Sequence, residues 1–153
     1  MKISKTGLKL IIGYESLQLD PYVCPAGKLT VGYGHVVLPG ENFDGGINVE
    51  QAQELLRKDV EESEEYVNRL VKVELPQLAF DALVSFTFNV GGNAFGSSTL
   101  LKLLNTRDYR AAALQFCHWD NSNRKEINGL EARRAEEALL FVAGCVKDGF
   151  IDL

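Results

Sequence analysis

The sequence predicts an α+β protein in which a small N-terminal lobe of strands precedes a larger helical lobe, and a long helix joins them. Strand-type residues are confined to about 22–37, and the later apolar residues recur at helical spacing. With 153 residues and 46% hydrophobic content, the chain is long enough for one compact domain over 1–153. We expect the strand lobe over about 15–48, the connecting helix over 49–72, and the helical lobe from 1–14 and 73–153.

The first helix is predicted from about Lys5 by apolar residues one helical turn apart, at Leu8, Ile11 and Ile12. Glu15 falls on the same face, in the last turn. Apolar surroundings and the negative end of a helix both disfavour an ionised carboxylate, which suits a general acid. The alternative is a glutamate that turns to solvent at a frayed helix end.

Strand-type residues on both sides of Pro25-Ala26-Gly27 predict a hairpin. Alternation divides its residues between two faces, one with Leu29, Val31 and Tyr33 and the other with Thr30, Gly32 and Gly34. The second face would be nearly bare, so a ligand or a water molecule could approach the backbone there. Thr30 would orient that water, although threonine is common in strands without any function. His35 is either a base or a structural residue at the strand end.

Asn48 and Gln51 have the spacing of a capping box, which predicts the start of the long helix. Its inward residues would be Val49, Ala52, Leu55, Leu56, Val60, Val67 and Leu70. Pro76 is expected to begin the following helix, and Gly91-Gly92 to end it.

Helices are predicted for the remainder of the chain, without internal repeats or zinc-ligand spacing. Ser98 or Thr99 and Asp108 are the expected N-caps of two of them. Ala135, Ala138, Leu139 and Val142 mark a final helix, which is expected to end at Gly144.

The net charge of −5 argues against a nucleic-acid-binding protein, because such proteins neutralise phosphates with clustered Lys and Arg. The three cysteines leave an odd count, which suits a reducing compartment better than a disulfide framework. We expect Cys117 and Cys145 to be packing residues. We recognise neither a signal peptide nor a membrane span, so the expected location is a cytosol.

Several motifs occur together in order. Glu15, Cys24 and Thr30 are separated by eight and five residues, and Thr30 begins the segment Thr-Val-Gly-Tyr-Gly-His. Further along are Phe88-Asn89-Val90-Gly91, Trp119, Gly129-Leu130, Arg133-Arg134 and Glu136. This combination resembles the phage T4-type lysozymes of glycoside hydrolase family 24, in particular lambdoid-phage endolysins, over nearly the whole chain.

The resemblance implies a lysozyme-like fold and a muramidase that cleaves the β-(1,4) bond between N-acetylmuramic acid and N-acetylglucosamine, without a cofactor or metal. Glu15 would be the general acid, and Thr30 would lie beside the attacking water. The residues expected to bind substrate are Gly32, His35, Phe88 and Asn89. Peptidoglycan would be the substrate, and a holin would release the enzyme, as a monomer, from the host bacterial cytoplasm to the periplasmic wall.

Cys24 stands where many members of the family have Asp, so its role as base, nucleophile or electrostatic stabiliser stays open. An ordinary thiol has a pKa of about 8.5, so Cys24 needs a group that lowers its pKa, and we nominate His35. Two rival functions remain. One is a catalytically silent module that binds wall glycan, and the other is an amidase that uses Cys24 with His35.

Overall fold

The structure, a computed structural model, describes residues 1–119 and 127–152. Its elements are the helices α1 (Lys5–Tyr14), α2 (Val49–Leu70), α3 (Gln77–Val90), α4 (Gly92–Ser97), α5 (Thr99–Asn105), α6 (Tyr109–Gln115) and α7 (Ile127–Lys147), a 3₁₀ turn (Phe116–Trp119), and the strands β1 (Gln18–Val23), β2 (Leu29–Gly32) and β3 (His35–Val36). The predicted α+β class is confirmed, with the strands ahead of the long helix.

The chain divides into two compact units. One consists of Ile12–Glu61, and the other of Met1–Ile11 with Glu62–Leu153. The boundary falls inside α2, after Glu61, whereas the sequence analysis placed the end of the strand lobe before this helix. The first half of α2 therefore belongs to the unit that contains the strands.

The three strands form an antiparallel sheet in the order β1-β2-β3. Tyr22 pairs with Thr30 and Val31 pairs with His35, so the predicted hairpin is confirmed. The strand before the turn begins at Gln18, earlier than expected, with an irregular register between Gln18 and Tyr22. The prediction of a nearly bare face at Thr30 is wrong, because Thr30 and Val31 are both buried and both faces of β2 are therefore covered here.

The start of α2 is fixed by the predicted capping box. The backbone N–H of Gln51 donates to Asn48 Oδ1 at 2.8 Å, and the backbone N–H of Asn48 donates to Gln51 Oε1 at 2.9 Å. Each residue thus satisfies an amide that the first helical turn leaves without a partner. The buried face holds Ala52, Leu55, Leu56, Val60 and Val67, while Val49 is exposed and Leu70 half-buried.

The predicted helix boundaries of the helical unit are largely confirmed. Pro76 precedes α3, and Gly91, with φ 89°, follows it in a backbone conformation that favours glycine. The Ser98 side chain accepts from the Leu101 amide at 3.1 Å, and Asp108 accepts from the Ala111 amide at 3.0 Å.

Within the described residues, no helix combines the length and the apolar character that crossing a bilayer requires.

The prediction that the last helix ends at Gly144 is wrong, because α7 continues to Lys147. A Cβ at Gly144 would lie 2.9 Å from the backbone nitrogen of Ala79, so this glycine allows α7 to pack closely on α3. The apolar residues that mark this helix do not form its buried face, since Leu139 is 70% exposed. The buried residues of α7 are instead Arg133, Arg134, Glu137, Phe141, Gly144 and Cys145.

Aromatic rings fill the core of the helical unit around Phe86. The ring of Phe86 meets those of Phe116 and Trp119 edge-on, with centroids 5.3 Å away in each case. The two cysteines expected to be packing residues differ. Cys145 is buried, and burial raises its pKa to about 12, whereas Cys117 is exposed and the prediction for it is wrong.

Candidate active site

Glu15 follows α1 directly. The helix ends at Tyr14, and the chain then leads into β1. Glu15 is half-buried and stands one residue beyond the position predicted for it, outside the last helical turn. A half-buried carboxyl group between a helix and a strand is partly shielded from water yet accessible to a ligand, as a general acid requires.

Cys24 lies at the first position of the hairpin turn. The backbone N–H of Cys24 donates to the Lys28 carbonyl at 2.9 Å, and that of Gly27 donates to the Cys24 carbonyl at 2.8 Å. Gly27, with φ 76°, has the left-handed conformation that closes this tight turn. The turn holds the half-buried thiol at a fixed place on the surface of the sheet unit.

The turn itself lowers the pKa of Cys24. The largest contribution is the backbone N–H of Lys28, followed by the hydroxyl of Thr30, with smaller ones from the Ala26 backbone and the Lys28 ammonium. Partial burial opposes these effects without cancelling them. Hydrogen bonds and positive charge favour the ionised form, so the turn shifts Cys24 towards the thiolate that a catalytic cysteine needs.

Thr30 connects this turn to the sheet. It is 3% exposed on β2, and its hydroxyl donates to the Lys28 carbonyl at 3.0 Å. A hydroxyl has one hydrogen, so Thr30 can serve either that carbonyl or the Cys24 sulfur at one time.

The nomination of His35 as the group that lowers the pKa of Cys24 is wrong, since other residues do so. His35 is 6% exposed, and both ring nitrogens have carboxylate partners. Nδ1 lies 2.8 Å from Asp59 Oδ1, and Nε2 lies 2.8 Å from Glu41 Oε2. These bonds leave no ring nitrogen for a substrate or for a base in the amidase mechanism.

The sequence analysis did not identify Asp59 and Glu41 as the partners of His35. Asp59 lies on the polar side of α2 and Glu41 in the loop after the hairpin, so neither follows a motif. The only signal was His35 itself, because a buried histidine needs hydrogen-bond partners.

Gly32 and Gly34 were expected to share a bare face of the hairpin, and the structure separates them. A Cβ at Gly32 would lie 3.4 Å from Ile47 Cδ1 and 3.5 Å from Ala52 Cβ, so this glycine faces packed side chains. At Gly34 a Cβ would have nothing within 4 Å. Gly34, with φ 92°, is therefore the glycine that leaves backbone open to a ligand.

Phe88 and Asn89 lie in the last turn of α3, in the helical unit. Phe88 is half-buried and Asn89 is exposed. The Asn89 Oδ1 atom accepts a hydrogen bond from Arg134 Nη2. Asn89 is thus exposed itself, while the Arg134 side chain that holds it is buried.

Arg134 belongs to a buried charged cluster, of which the sequence analysis recognised only the two arginines. Arg134 Nη1 donates to Glu137 Oε2, and Arg133 Nε donates to Glu137 Oε1 at 3.1 Å. The Ser85 hydroxyl donates to the same Oε1 at 2.7 Å. The arginines were visible as a motif, whereas nothing in the sequence distinguished Glu137 or Ser85 as their partners.

No three His, Cys, Asp or Glu side chains within residues 1–119 and 127–152 converge to hold a metal ion. The candidate site residues Glu15, Cys24 and Thr30 offer a carboxyl group, a thiol with a lowered pKa and a hydroxyl group. Such groups serve acid–base and nucleophilic reactions.

Comparison with known proteins defines the class of protein. The family model for phage lysozyme matches residues 12–137. An endolysin from Acyrthosiphon pisum secondary endosymbiont phage 1 is 43% identical over 145 residues, which are 92% of this chain and 98% of the relative. The endolysin of Bacillus phage B103 is 44% identical over 149 residues, but these residues, 94% of this chain, span only 55% of that longer relative.

Among solved structures, the muramidase domain of SpmX from Asticaccaulis excentricus aligns with a TM-score of 0.83 and 36% identity. The alignment covers 92% of this chain and 97% of that domain. These matches place the chain among lytic enzymes of the lysozyme type. It belongs to the phage lysozyme family.

Proposed function

We propose that this lysozyme cleaves the β-(1,4) bond between N-acetylmuramic acid and N-acetylglucosamine, with Glu15 as general acid, Cys24 as an anionic partner and Thr30 beside the attacking water. As a phage lysozyme, the chain is a glycoside hydrolase that degrades bacterial peptidoglycan. The observation that carries the assignment of residues is the turn from Cys24 to Lys28. It lowers the pKa of a half-buried thiol next to the Thr30 hydroxyl.

The reaction begins when the Glu15 carboxyl group gives its proton to the glycosidic oxygen as the bond to the anomeric carbon breaks. Positive charge then develops on the sugar ring, and the Cys24 thiolate stabilises it electrostatically. The Thr30 hydroxyl orients a water molecule that attacks the anomeric carbon, and the proton that this water loses returns through solvent to the Glu15 carboxylate, which restores the general acid. The products are a new reducing end and a free hydroxyl group on the departing sugar.

Product chemistry tests the reaction class. Purified peptidoglycan is incubated with the protein, and new reducing ends and new free amines are counted in the same samples. A glycosidase releases reducing ends in proportion to turbidity loss, with no rise in amines. Amines without reducing ends would refute the proposal in favour of an amidase, and neither product would indicate a silent binding module.

The charge of Cys24 is tested by substitution. Cys24→Asp supplies a carboxylate and should retain activity, whereas Cys24→Ala should lose most of it. Cys24→Asp should also shift the rising limb of the pH–activity profile to lower pH, because a carboxyl group ionises below a thiol.

Cys117→Ala, at an exposed cysteine of the helical unit, is the matched control and should behave like the parent. A fully active Cys24→Ala protein would remove Cys24 from the mechanism.

We also propose that the chain acts as a monomer and reaches the wall when a holin opens the inner membrane. The endolysin names of its relatives support this route. Expression of this chain alone in a Gram-negative host should leave cells intact until a permeabilising agent is added. Prompt lysis without such an agent would contradict the route, and light scattering that reports a dimer would contradict the monomer.

A further inference from the structure

A buried charged cluster joins α3 to α7, and the reaction proposed above gives it no task. Two guanidinium groups, those of Arg133 and Arg134, surround one carboxylate, that of Glu137, and none of the three residues is more than 3% exposed. Burying charges costs free energy even when they are paired. Such a cluster often fixes a specific geometry, and among the described residues it holds a side chain at the surface.

That side chain belongs to Asn89. Arg134 is held from two sides, because Nη1 donates to Glu137 Oε2 and the guanidinium carbon lies 4.9 Å from the centroid of the Phe86 ring. Its Nη2 atom donates to Asn89 Oδ1. Glu137 and Phe86 therefore fix Arg134, and Arg134 fixes the amide of Asn89.

The chemistry of arginine settles which way the amide points. A guanidinium group donates hydrogen bonds and accepts none, so the amide atom that faces it must be the oxygen. The amino group of Asn89 lies on the other branch of the amide and is turned away from Arg134. Since Asn89 is exposed, this amino group is presented to a ligand as a hydrogen-bond donor.

We propose that Arg134 is a positioning residue that holds Asn89 with its amino group outward, so that Asn89 recognises a carbonyl oxygen of peptidoglycan. This inference rests on the proposed function and on the expectation, drawn from the family resemblance, that Asn89 binds the substrate. Carbonyl oxygens occur in the acetamido groups of the sugars and in the stem peptides. The fixed amide presents its N–H donors outward and so favours these acceptors over substrate groups that can only donate.

The donor count of Arg134 explains why a neutral amide suits this position. A guanidinium group carries five N–H donors, so Arg134 has donors left over after pairing with Glu137. The amide oxygen of Asn89 accepts one of them without adding charge. A carboxylate at position 89 would also pair with Arg134, but it would present an acceptor outward in place of the donor.

The test begins with Asn89→Asp and Asn89→Ala. KM and kcat are measured from reducing ends released from soluble glycan strands, and Tm is measured for each variant. Both substitutions should raise KM about three- to tenfold, as expected for one lost hydrogen bond, with little change in kcat. Asn89→Asp should not lower Tm, because its carboxylate still pairs with Arg134. An Asn89→Asp enzyme with the KM of the parent would overturn the proposal.

The positioning role is tested by a double-mutant cycle. Arg134→Lys keeps a positive charge for Glu137 but loses the fork that reaches Asn89. It should raise KM in the parent and have no further effect on KM in the Asn89→Ala background. An equal effect in both backgrounds would mean that Arg134 acts only on folding. Ser98→Ala, which removes the N-cap of α5 and does not touch the cluster, is the control and should lower Tm without changing KM.

Two substrates locate the acceptor. Strands that carry stem peptides are compared with strands from which an amidase has removed them. If Asn89→Ala raises KM on both, the carbonyl belongs to the sugars, and if only on the first, it belongs to the stem. An unchanged KM on both would refute the inference. A parent protein that releases no reducing ends from either would instead refute the proposed function.

Discussion

Substitution of His35 by Asn should destabilise the protein most strongly in mildly acidic solution. His35 is buried, and its ring nitrogens lie 2.8 Å from Asp59 Oδ1 and 2.8 Å from Glu41 Oε2. Burial by itself would lower the pKa of His35, but the hydrogen bonds from Glu41 and Asp59 overcome it, so the pKa is raised above the ordinary 6.5. The charged imidazolium is therefore the form that the fold stabilises.

The sign of the pH dependence follows from that shift. A raised folded-state pKa means that the contribution of His35 is fully present below about 6.5 and is lost as the pH rises through the raised value. The pKa of Glu41 is lowered from 4.5, first by the Leu38 backbone N–H and then by His35, so its contribution is lost as the pH falls through the lowered value. The largest effect of His35→Asn is expected between about pH 4.5 and 6.5.

The size of the effect follows from the bond to Asp59. One charge-assisted hydrogen bond from a buried donor contributes about 2 kcal/mol. In a chain of this length that corresponds to a decrease in Tm of about 4–8 °C. Thermal unfolding of the parent and of His35→Asn from pH 5 to pH 9 measures it, with His118→Asn, at an exposed histidine, as control. A Tm difference that stays constant or grows towards pH 9 would refute the reasoning.

Three further predictions concern packing, capping and thiol chemistry. Gly144→Ala should lower the free energy of unfolding by about 1–3 kcal/mol, since the added Cβ meets backbone at 2.9 Å, while Gly129→Ala, with open space, should raise it by about 0.5 kcal/mol. Asn48→Ala should cost about 1 kcal/mol in chemical denaturation by removing the α2 N-cap. Iodoacetamide should modify Cys24 well before Cys145 in peptide mass mapping, because the pKa of Cys24 is lowered and that of Cys145 is raised to about 12.

Local rules predicted much of the fold. The capping box of Asn48 and Gln51 and the N-caps Ser98 and Asp108 are where the sequence placed them, because a cap depends on residues within one helical turn. The end of α7 could not be predicted in this way. Gly144 has the local appearance of a helix stop, but its function is close packing against α3, which only tertiary structure reveals.

The candidate site shows the same limit. Glu15, Cys24 and Thr30 could be selected from spacing and resemblance. The cause of the lowered pKa of Cys24 could not be predicted, because the backbone amides of a turn leave no pattern in the sequence. His35 was nominated as the partner of Cys24 from its position along the hairpin. One of its actual partners, Asp59, is distant in sequence.

The central claim is that Glu15 donates the proton to the leaving sugar oxygen, and Glu15→Gln tests it most directly. Glutamine keeps the size and hydrogen-bonding capacity of the side chain but has no acidic proton. Reducing ends released from purified peptidoglycan are measured for the parent and for Glu15→Gln, with Tm confirming that both are folded. The account predicts a loss of about a hundredfold or more in rate. A folded Glu15→Gln protein that releases reducing ends at nearly the parental rate would contradict it.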